Sequence, residues 1–589
     1  VFLPVSVMGG FVGQFFKEFG FTVALAVLFS LLVARLLTPL MAAYLLKPAK
    51  HPHARKPFKG FYRRSLDWVL AHRWLSMAGG AALFAGSLVL ASTLPTGFTP
   101  PQDNGIVNLS LEGAPGATLT DMRRSSELLT RKLTALPDVQ TVFTTVGSSS
   151  SDGDVRNGSV TVLLKKVRSQ TTQAFQAAIK PLLMSIPDVR LGMGAVSGGG
   201  GSSTVQILLA SEDGDVLSQT ALELELAMRG LTRQLSDVHQ VTPRPGSELV
   251  ITPKPREAAR LGVTAEALGA VARVATLGDI DANTAKFNTG DQRLPIRVRL
   301  EGAARGDLDI IRNLRVPTAM GTAVPLTAVA DIHFQPGVVR IQRFDRQRRA
   351  TVEGQLNPGV SLGDAMKAIK GLPVMKNLPA SVTQPAYGQS ENMAELFASF
   401  AAAMAAGIGS IFAILVLLFR SFFKPITILA ALPLSLAGAF LGLLIAGSEL
   451  GLSALIGLLM LMGVAAKNSI LLVEFAIEAE RRGMAQKDAL ILACRERARP
   501  IVMTTVAMAA GMVPTALALG EGSEFRGPMA IAVIGGLISS TVLSLVLVPV
   551  VYELIDDFEL WISPKLGRLV VQRTDTASGE KADRAQGVA

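Results

Sequence analysis

GLSALIGLLMLMGVAAKNSILLV, residues 451–473, carries a single charge, Lys467. A helix crosses a hydrocarbon core with about 20 apolar residues, so this stretch predicts a membrane span with a cation near its middle. The helix is expected to emerge near Glu478, which at 1.5 Å per residue places Lys467 roughly 16 Å below the surface, too deep for comfortable snorkelling. A lone cation at such depth costs on the order of 2.5–3.5 kcal/mol on insertion scales and by default marks an ion path or proton relay.

Outward from this stretch, further spans are predicted at 19–45, 74–94, 395–419, 426–447, 499–519 and 527–552. The first eighteen residues, VFLPVSVMGGFVGQFFKE, read as the end of one more helix running into a Gly-rich turn, so the chain is expected to start partway through a longer protein. Of the 589 residues 49% are hydrophobic, which places the chain among membrane proteins. The net charge of +11 does not point to nucleic acid, because the basic residues gather between apolar spans and form no stripe interleaved with aromatics.

Lys47, Lys50, Arg55, Lys56, Lys59, Arg63, Arg64 and Arg73 face one acid, Asp67, in the link at 47–73, which makes that link cytoplasmic. Arg420 and Lys424, and the basic segment from Arg481 to Arg499, agree in parity, whereas Glu449, Glu521 and Glu524 fall in the opposite turns. The region from about 95 to 393 then lies outside, in the periplasm of a Gram-negative cell. Residues 57–72 mix aromatic and basic residues as a helix on the inner membrane surface does.

In that outer region a strand, an amphipathic helix, a turn and a second strand recur four times. The copies run from VNLSLEG to LPDVQTVFTTVG (107–147), VTVLLKK to IPDVRLGMG (160–194), VQILLAS to LSDVHQV (205–241) and ATVEGQL to LPASVTQPAYG (350–388). Two such units in tandem make a split βαβ layer. The predicted fold is therefore a polytopic α-helical membrane protein with a large periplasmic α+β region of two ferredoxin-like (βαββαβ) subdomains and an inserted α/β subdomain.

The division is 1–46 (the end of one helix plus a full one), 47–73 (basic amphipathic segment), 74–94 (a span), 95–203 (first subdomain), 204–249 with 346–393 (second subdomain), 250–345 (insertion), 394–555 (five spans) and 556–589 (a cytoplasmic, partly disordered tail). The loops GSSSSDGDVRNG (147–158) and SGGGGSS (197–203) read as flexible.

Several chemistries find no support. Cys494, the only cysteine, sits in a basic segment read as a loop and forms no internal disulfide. His51, His53, His72 and His333 are scattered without ligand spacing, so no metal site is expected. No GxxxxGK[ST] follows a strand, and no nucleophile, base and oxyanion set is visible, so neither ATP-driven transport nor an enzyme is expected. No cofactor is called for.

Lys467 has candidate neighbours by helical spacing. Glu474 lies two turns along the same face, and on the next span Arg497 and Thr504 are again two turns apart. A helix threonine also commonly bonds its own backbone, the simpler reading of Thr504. Arg35 is a second deep cation, for which helix-end carbonyls are candidate partners. Apart from Glu395 and Glu474 near helix ends, the seven predicted spans contain no acid. Buried charges are paired, so carboxylates facing Lys467 are expected from helices beyond this chain.

The run GLLMLMGVAAKNSILLVEFA (457–476), together with RARPIVMTTVAMAAGMVPTALALGEG (497–522), resembles the resistance-nodulation-division (RND) transporters, specifically their hydrophobe and amphiphile efflux branch. The likeness extends through VFLPVSVMGG, LLTPLMAAYL, FRSFFKPITILAALPLSLAGA (419–439) and GGLISSTVLSLVLVPVVYEL (535–554). It implies proton-driven efflux of hydrophobic or amphiphilic compounds by an inner-membrane homotrimer working with a periplasmic adaptor protein and an outer-membrane channel. It implies protons as the coupling ion, a relay involving Lys467, Asn468, Thr504 and Arg497, and a missing N-terminal half that carries paired aspartates opposite Lys467. The two subdomains correspond to half of a porter layer, the insertion to half of a docking layer. In drug exporters the loop matching 147–158 often carries aromatics; here it is Ser-rich, and Phe143, Val146 and Gly147 beside it are the candidate substrate contacts. The alternatives are an inactive truncated fragment and a secretion or lipid-exporting relative.

Overall fold

The computed structural model describes residues 6, 9–45, 60–100, 102–114, 116–147, 155–193, 204–241, 246–279, 284–337, 341–518, 520 and 522–571. Most of the basic link (46–59), most of the Ser-rich loop (148–154), the Gly-rich loop (194–203) and the tail from 572 lie outside the described residues.

Helix α1 (Gly10–Leu32) passes through a π-helical turn, Val33–Leu37, into α2 (Thr38–Leu45). Residues 10–18 therefore belong to α1, which starts before the span expected from 19; the earlier helix end read from residues 1–8 falls almost entirely outside the described residues. Gly10 takes φ +79°, a backbone open to glycine, and launches the helix directly.

After α3 (Phe61–Ala71) comes α4 (Arg73–Thr93). The expected surface helix is α3, but Leu66, Val69 and Leu70 are buried against a cluster that includes Leu415, Leu472 and Tyr552, and Tyr62 donates to the Leu545 carbonyl at 3.0 Å. Its apolar stripe packs on the bundle while Phe61 and Trp68 stay exposed.

The first outer unit is β1 (Ile106–Gly113), α5 (Leu119–Thr134), β2 (Val139–Val146), β3 (Asn157–Leu164), α6 (Thr172–Met184) and β4 (Val189–Met193). Its sheet runs β2-β3-β1-β4, all antiparallel. Alternate residues of β1 and β3 (Val107, Leu109, Leu111; Val160, Val162, Leu164) are buried against Met122, Leu129, Phe175 and Ile179 of the helices.

The second unit repeats the order with β5 (Thr204–Ser211), α7 (Gly214–Arg229) and β6 (Leu235–Gln240). It resumes after the insertion, which is carried on an antiparallel ribbon of β7 (Gly246–Pro253) and β8 (Ala330–Gly337) with α8 (Ala265–Thr276) between them. The unit then closes with β9 (Gln347–Leu356), α9 (Leu362–Lys370) and the short β10 (Val382–Thr383), and its sheet runs β6-β9-β5-β10. The four crossover helices each start on a capping side chain. Thr118 accepts from the Asp121 amide, Thr171 from Ala174, Asp213 from Asp215 and Val216, and Ser361 from Asp364. These caps mark the sequence repeat at the level of single hydrogen bonds.

The chain returns to long helices with α10 (Gln389–Phe419), α11 (Phe423–Leu429), α12 (Ala431–Ile445), α13 (Leu452–Arg481), α14 (Gln486–Ala516) and α15 (Ser523–Val571). Among the described residues, six helical stretches are long and apolar enough to cross a membrane: Gly13–Leu45, Arg73–Thr93, Gln389–Phe419, Phe423–Ile445, Leu452–Arg481 and Ser523–Glu559. The span expected at 499–519 is not among them. It falls within α14, where Pro500, Pro514 and several polar residues dilute the apolar run.

Cys494 is buried inside α14 and is not in a loop, because only a short turn at Gly483, with φ +88°, separates α13 from α14. The expected tail likewise begins as helix, since α15 continues to Val571. Helices α12 and α15 meet at glycines: a Cβ on Gly438 would fall 2.3 Å from the Gly535 carbonyl oxygen.

Asp103, just before β1, anchors the first unit. It accepts from the Thr172 amide at 2.8 Å, from the Thr172 hydroxyl and from Arg168. Burial pushes its carboxyl up, but the Thr172 and Arg168 bonds outweigh that and hold it below the usual carboxylate range. A depressed folded value contributes stability that is complete above the ordinary Asp value of about 4 and is lost as pH falls through the folded value. Asp103→Ala is expected to cost on the order of 2 kcal/mol at neutral pH. Thermal melts across an acid titration should also show a flatter acid limb for the variant than for the parent.

Candidate functional site in the helical bundle

Helix α13 spans Leu452–Arg481, 30 residues, and Lys467 lies about 22 Å from its first residue and about 21 Å from its last. One side of the helix is buried throughout, including Leu455, Leu459, Met462, Ala466, Asn468, Ser469, Leu472 and Ala476. The other side carries Lys467, Glu474 and Glu478, all exposed. Positions seven and four apart share a stripe, so the three charges form one line along the helix, facing out of this bundle. Lys467 makes no hydrogen bond or ion pair among the described residues.

Asn468 is 3% exposed and sits within the bundle, on the neighbouring face of the helix. On α14, Arg497 is brought to α13 through an aromatic ring: its guanidinium lies 5.1 Å from the Phe475 ring centre. The Arg497 Nε is buried without a hydrogen-bond partner. Thr504 donates to the Ile501 carbonyl at 2.9 Å, the local back-bonding considered above for a helix threonine. The structure thus brings Arg497 onto the Lys467 helix, while neither Arg497 nor Thr504 bonds Lys467.

Arg35 lies in the π-helical turn, exposed, and makes no hydrogen bond to helix-end carbonyls among the described residues. Single π turns inside helices recur at functional positions.

A charged cluster at the opposite end of the bundle was not anticipated. Lys424 pairs with Asp556, which also accepts from Gln486 at 2.9 Å. Tyr552 donates to Glu480 at 2.8 Å, and Arg73 pairs with Asp557 at 2.6 Å. These contacts tie α4, α11, α13, α14 and α15 together. The signal was available, since Glu553, Asp556 and Asp557 continue the helical spacing of the last span, but that span was expected to end at 552.

In the outer region Val146 and Thr144 line an open groove of about 550 Å³ against α5, and the Thr144 and Thr130 hydroxyls lie 3.0 Å apart. Phe143 is exposed and, by strand alternation, on the opposite face of β2. Gly147 takes φ +77° where β2 ends. The three candidate contacts therefore do not line one surface. Another cavity, of about 460 Å³, lies where the two outer units meet the membrane helices, lined by Gln173, Lys180, Gln355, Asn357 and Glu449 among others. Among the described residues no group of three or more His, Cys, Asp and Glu is placed to hold a metal ion.

Thr504 and its neighbour Thr505 differ in what their hydroxyls join. Thr505 is buried and bonds Thr541 at 2.6 Å, joining α14 to α15. Thr505→Val is expected to lower stability by about 1–3 kcal/mol because Thr541 loses its partner. Thr504→Val should stay within about 0.5 kcal/mol. Thermal unfolding of both variants in detergent checks this contrast.

Residues 1–556 match the model of the AcrB/AcrD/AcrF family. Among solved structures, a heavy metal efflux pump seen in two crystal forms superposes with a TM-score of 0.79 at 25% sequence identity, over 94% of this chain. The match covers 56% and 57% of those pump chains, so this chain spans a little over half their length. With a family match over nearly all of its residues and the same fold over most of its length, the chain belongs to the AcrB/AcrD/AcrF family of RND efflux transporters.

Proposed function

We propose that this chain forms part of a proton-driven efflux transporter of the inner membrane, with Lys467 at the centre of its proton relay. One observation carries the reading: Lys467 is in the middle of a 30-residue apolar helix, exposed on the outer face of the bundle, with no partner among the described residues. A cation so placed in hydrocarbon requires a counter-charge. We read that counter-charge as carboxylates on helices that pack against this face in the assembled transporter, the paired aspartates that the RND resemblance implies.

At 4 Å and an effective dielectric of 20, one lysine–carboxylate attraction is about 4 kcal/mol. Protonating the carboxylate removes it, enough to shift a two-state helix arrangement by about a thousandfold. Asn468 lies next to Lys467 on α13, Arg497 rests on the Phe475 ring of the same helix, and Thr504 lies two turns from Arg497 on α14.

The repeated strand order supports reading the outer units as ferredoxin-like porter subdomains and the ribbon-borne insertion as a docking element. Homotrimeric assembly with a periplasmic adaptor and an outer-membrane channel belongs to the same reading.

Two cargo classes follow from different observations. The sequence likeness favours hydrophobic or amphiphilic compounds, and Phe143, Val146 and Gly147 remain its candidate contacts. The solved relatives are heavy metal efflux pumps, which favours a soft metal ion as cargo. Both are efflux, and neither relative supports the secretion or lipid-export alternative.

In proteoliposomes under an imposed pH gradient, ethidium and silver ion serve as the two probes, and the cargo class is the one that moves. Lys467→Met in the complete transporter is expected to abolish that movement at normal membrane abundance. Export at the parent rate would sink the relay assignment.

A further inference from the structure

The Lys467 helix is separated in the chain from both outer subdomains by other helices, so a direct route from it to them has to run through contacts. The structure supplies one at the outer end of α13. The linker from α4 to the first subdomain passes directly over the start of α13. Leu450 donates its amide to the Pro95 carbonyl at 2.8 Å, and Leu452, the first residue of α13, donates to the Phe98 carbonyl at 2.9 Å. Thr96 and Leu450 form a parallel β-bridge. On its other side the same linker is held by the second subdomain, where the Gly363 amide of α9 donates to the Thr96 carbonyl at 2.9 Å.

Packing around these bonds is close on one side, while Pro95, Gly97 and Phe98 border the cavity of about 460 Å³ on the other. Leu94 is 2% exposed, Leu452 fully buried, Leu362 4% and Phe98 7%. Three glycines permit the approach. A Cβ on Gly451 would fall 3.0 Å from the carbonyl oxygens of both Gly97 and Phe98. One on Gly363 would fall 1.9 Å from the Thr96 hydroxyl and 3.1 Å from its carbonyl, and one on Gly97 would fall 2.0 Å from the Glu449 carboxylate. Buried backbone groups keep their partners, because an unpaired amide or carbonyl there is costly, so these bonds travel with the elements they join.

We infer that residues 94–98 are the coupler between the relay helix and both outer subdomains: α13 holds this linker at Leu450 and Leu452, and Thr96 hands the displacement to α9 through Gly363. Between Leu452 and Lys467 lie about 22 Å of continuous helix, so a shift of α13 at Lys467 reaches the linker with little loss. Thr96, Gly363 and Gly451 are positioning residues, acting through α13 and touching no cargo. The inference rests on the relay reading of Lys467.

The test uses the complete transporter in liposomes, in a Cys494→Ala background. One spin-label pair, at Glu478→Cys and Glu496→Cys, reports α13 against α14; a second, at Arg124→Cys and Glu223→Cys, reports one outer subdomain against the other. All four positions are exposed. Lowering the pH from about 8 to about 5.5 is expected to shift both distances in the parent. Gly363→Val and Gly451→Ala, made separately so that loss of folding in one leaves the other informative, should keep the membrane shift and reduce the outer shift at least twofold. Gly79→Ala, where a Cβ meets nothing within 4 Å, should keep both. An outer shift equal to the parent's in a folded junction variant overturns the coupler. A parent membrane pair that does not respond to pH overturns the relay reading, and the coupler with it.

Discussion

An isolated charge imposes a demand that apolar packing cannot meet, and Lys467 makes that demand at the middle of α13, a helix long and apolar enough to cross a membrane. One side of the helix is buried against the bundle among Leu, Met and Ala. The exposed stripe of Lys467, Glu474 and Glu478 faces outward. The rest of the bundle lies behind the opposite side of the helix. Gly438 and Gly535 draw α12 and α15 close together, the buried core closes behind α13, and Arg497 settles on the Phe475 ring of that helix.

The charges of the bundle are sorted by depth. At one end of the bundle Lys424 pairs with Asp556, Arg73 pairs with Asp557, and Tyr552 reaches Glu480. Those contacts fix the ends of five helices where water helps to offset desolvation. Deeper in, Lys467 and Arg35 have no such partner among the described residues. Arg35 sits in a π-helical turn, where the helix repeat itself is locally altered.

The outer region solves a different problem with repetition. Four crossover helices start on capping side chains, and two sheets adopt the same strand order although the second is interrupted by the whole insertion. The interruption is tolerated because it enters and leaves on neighbouring strands of a ribbon, β7 and β8, which brings the chain ends back together. These two layers meet the long helices at the linker over α13, where backbone bonds reach both sides.

Much of this was legible in the sequence because it depends on local pattern. Apolar length marked most of the spans, the isolated charge marked Lys467, and the recurring strand, helix and turn marked the four β–α–β units. Helix ends and the insides of connections were less legible. Residues 10–18 joined α1, Cys494 entered α14, and α15 ran on past 552, because helical propensity continues where hydrophobicity stops. The sequence alone determined which residues are too polar for their surroundings. Only the tertiary structure decided where they face: Lys467 out of the bundle, Arg497 onto Phe475, and Phe143 and Val146 on opposite faces of one strand. Burial and partners are properties of packing between segments far apart in the chain, and no local pattern encodes them.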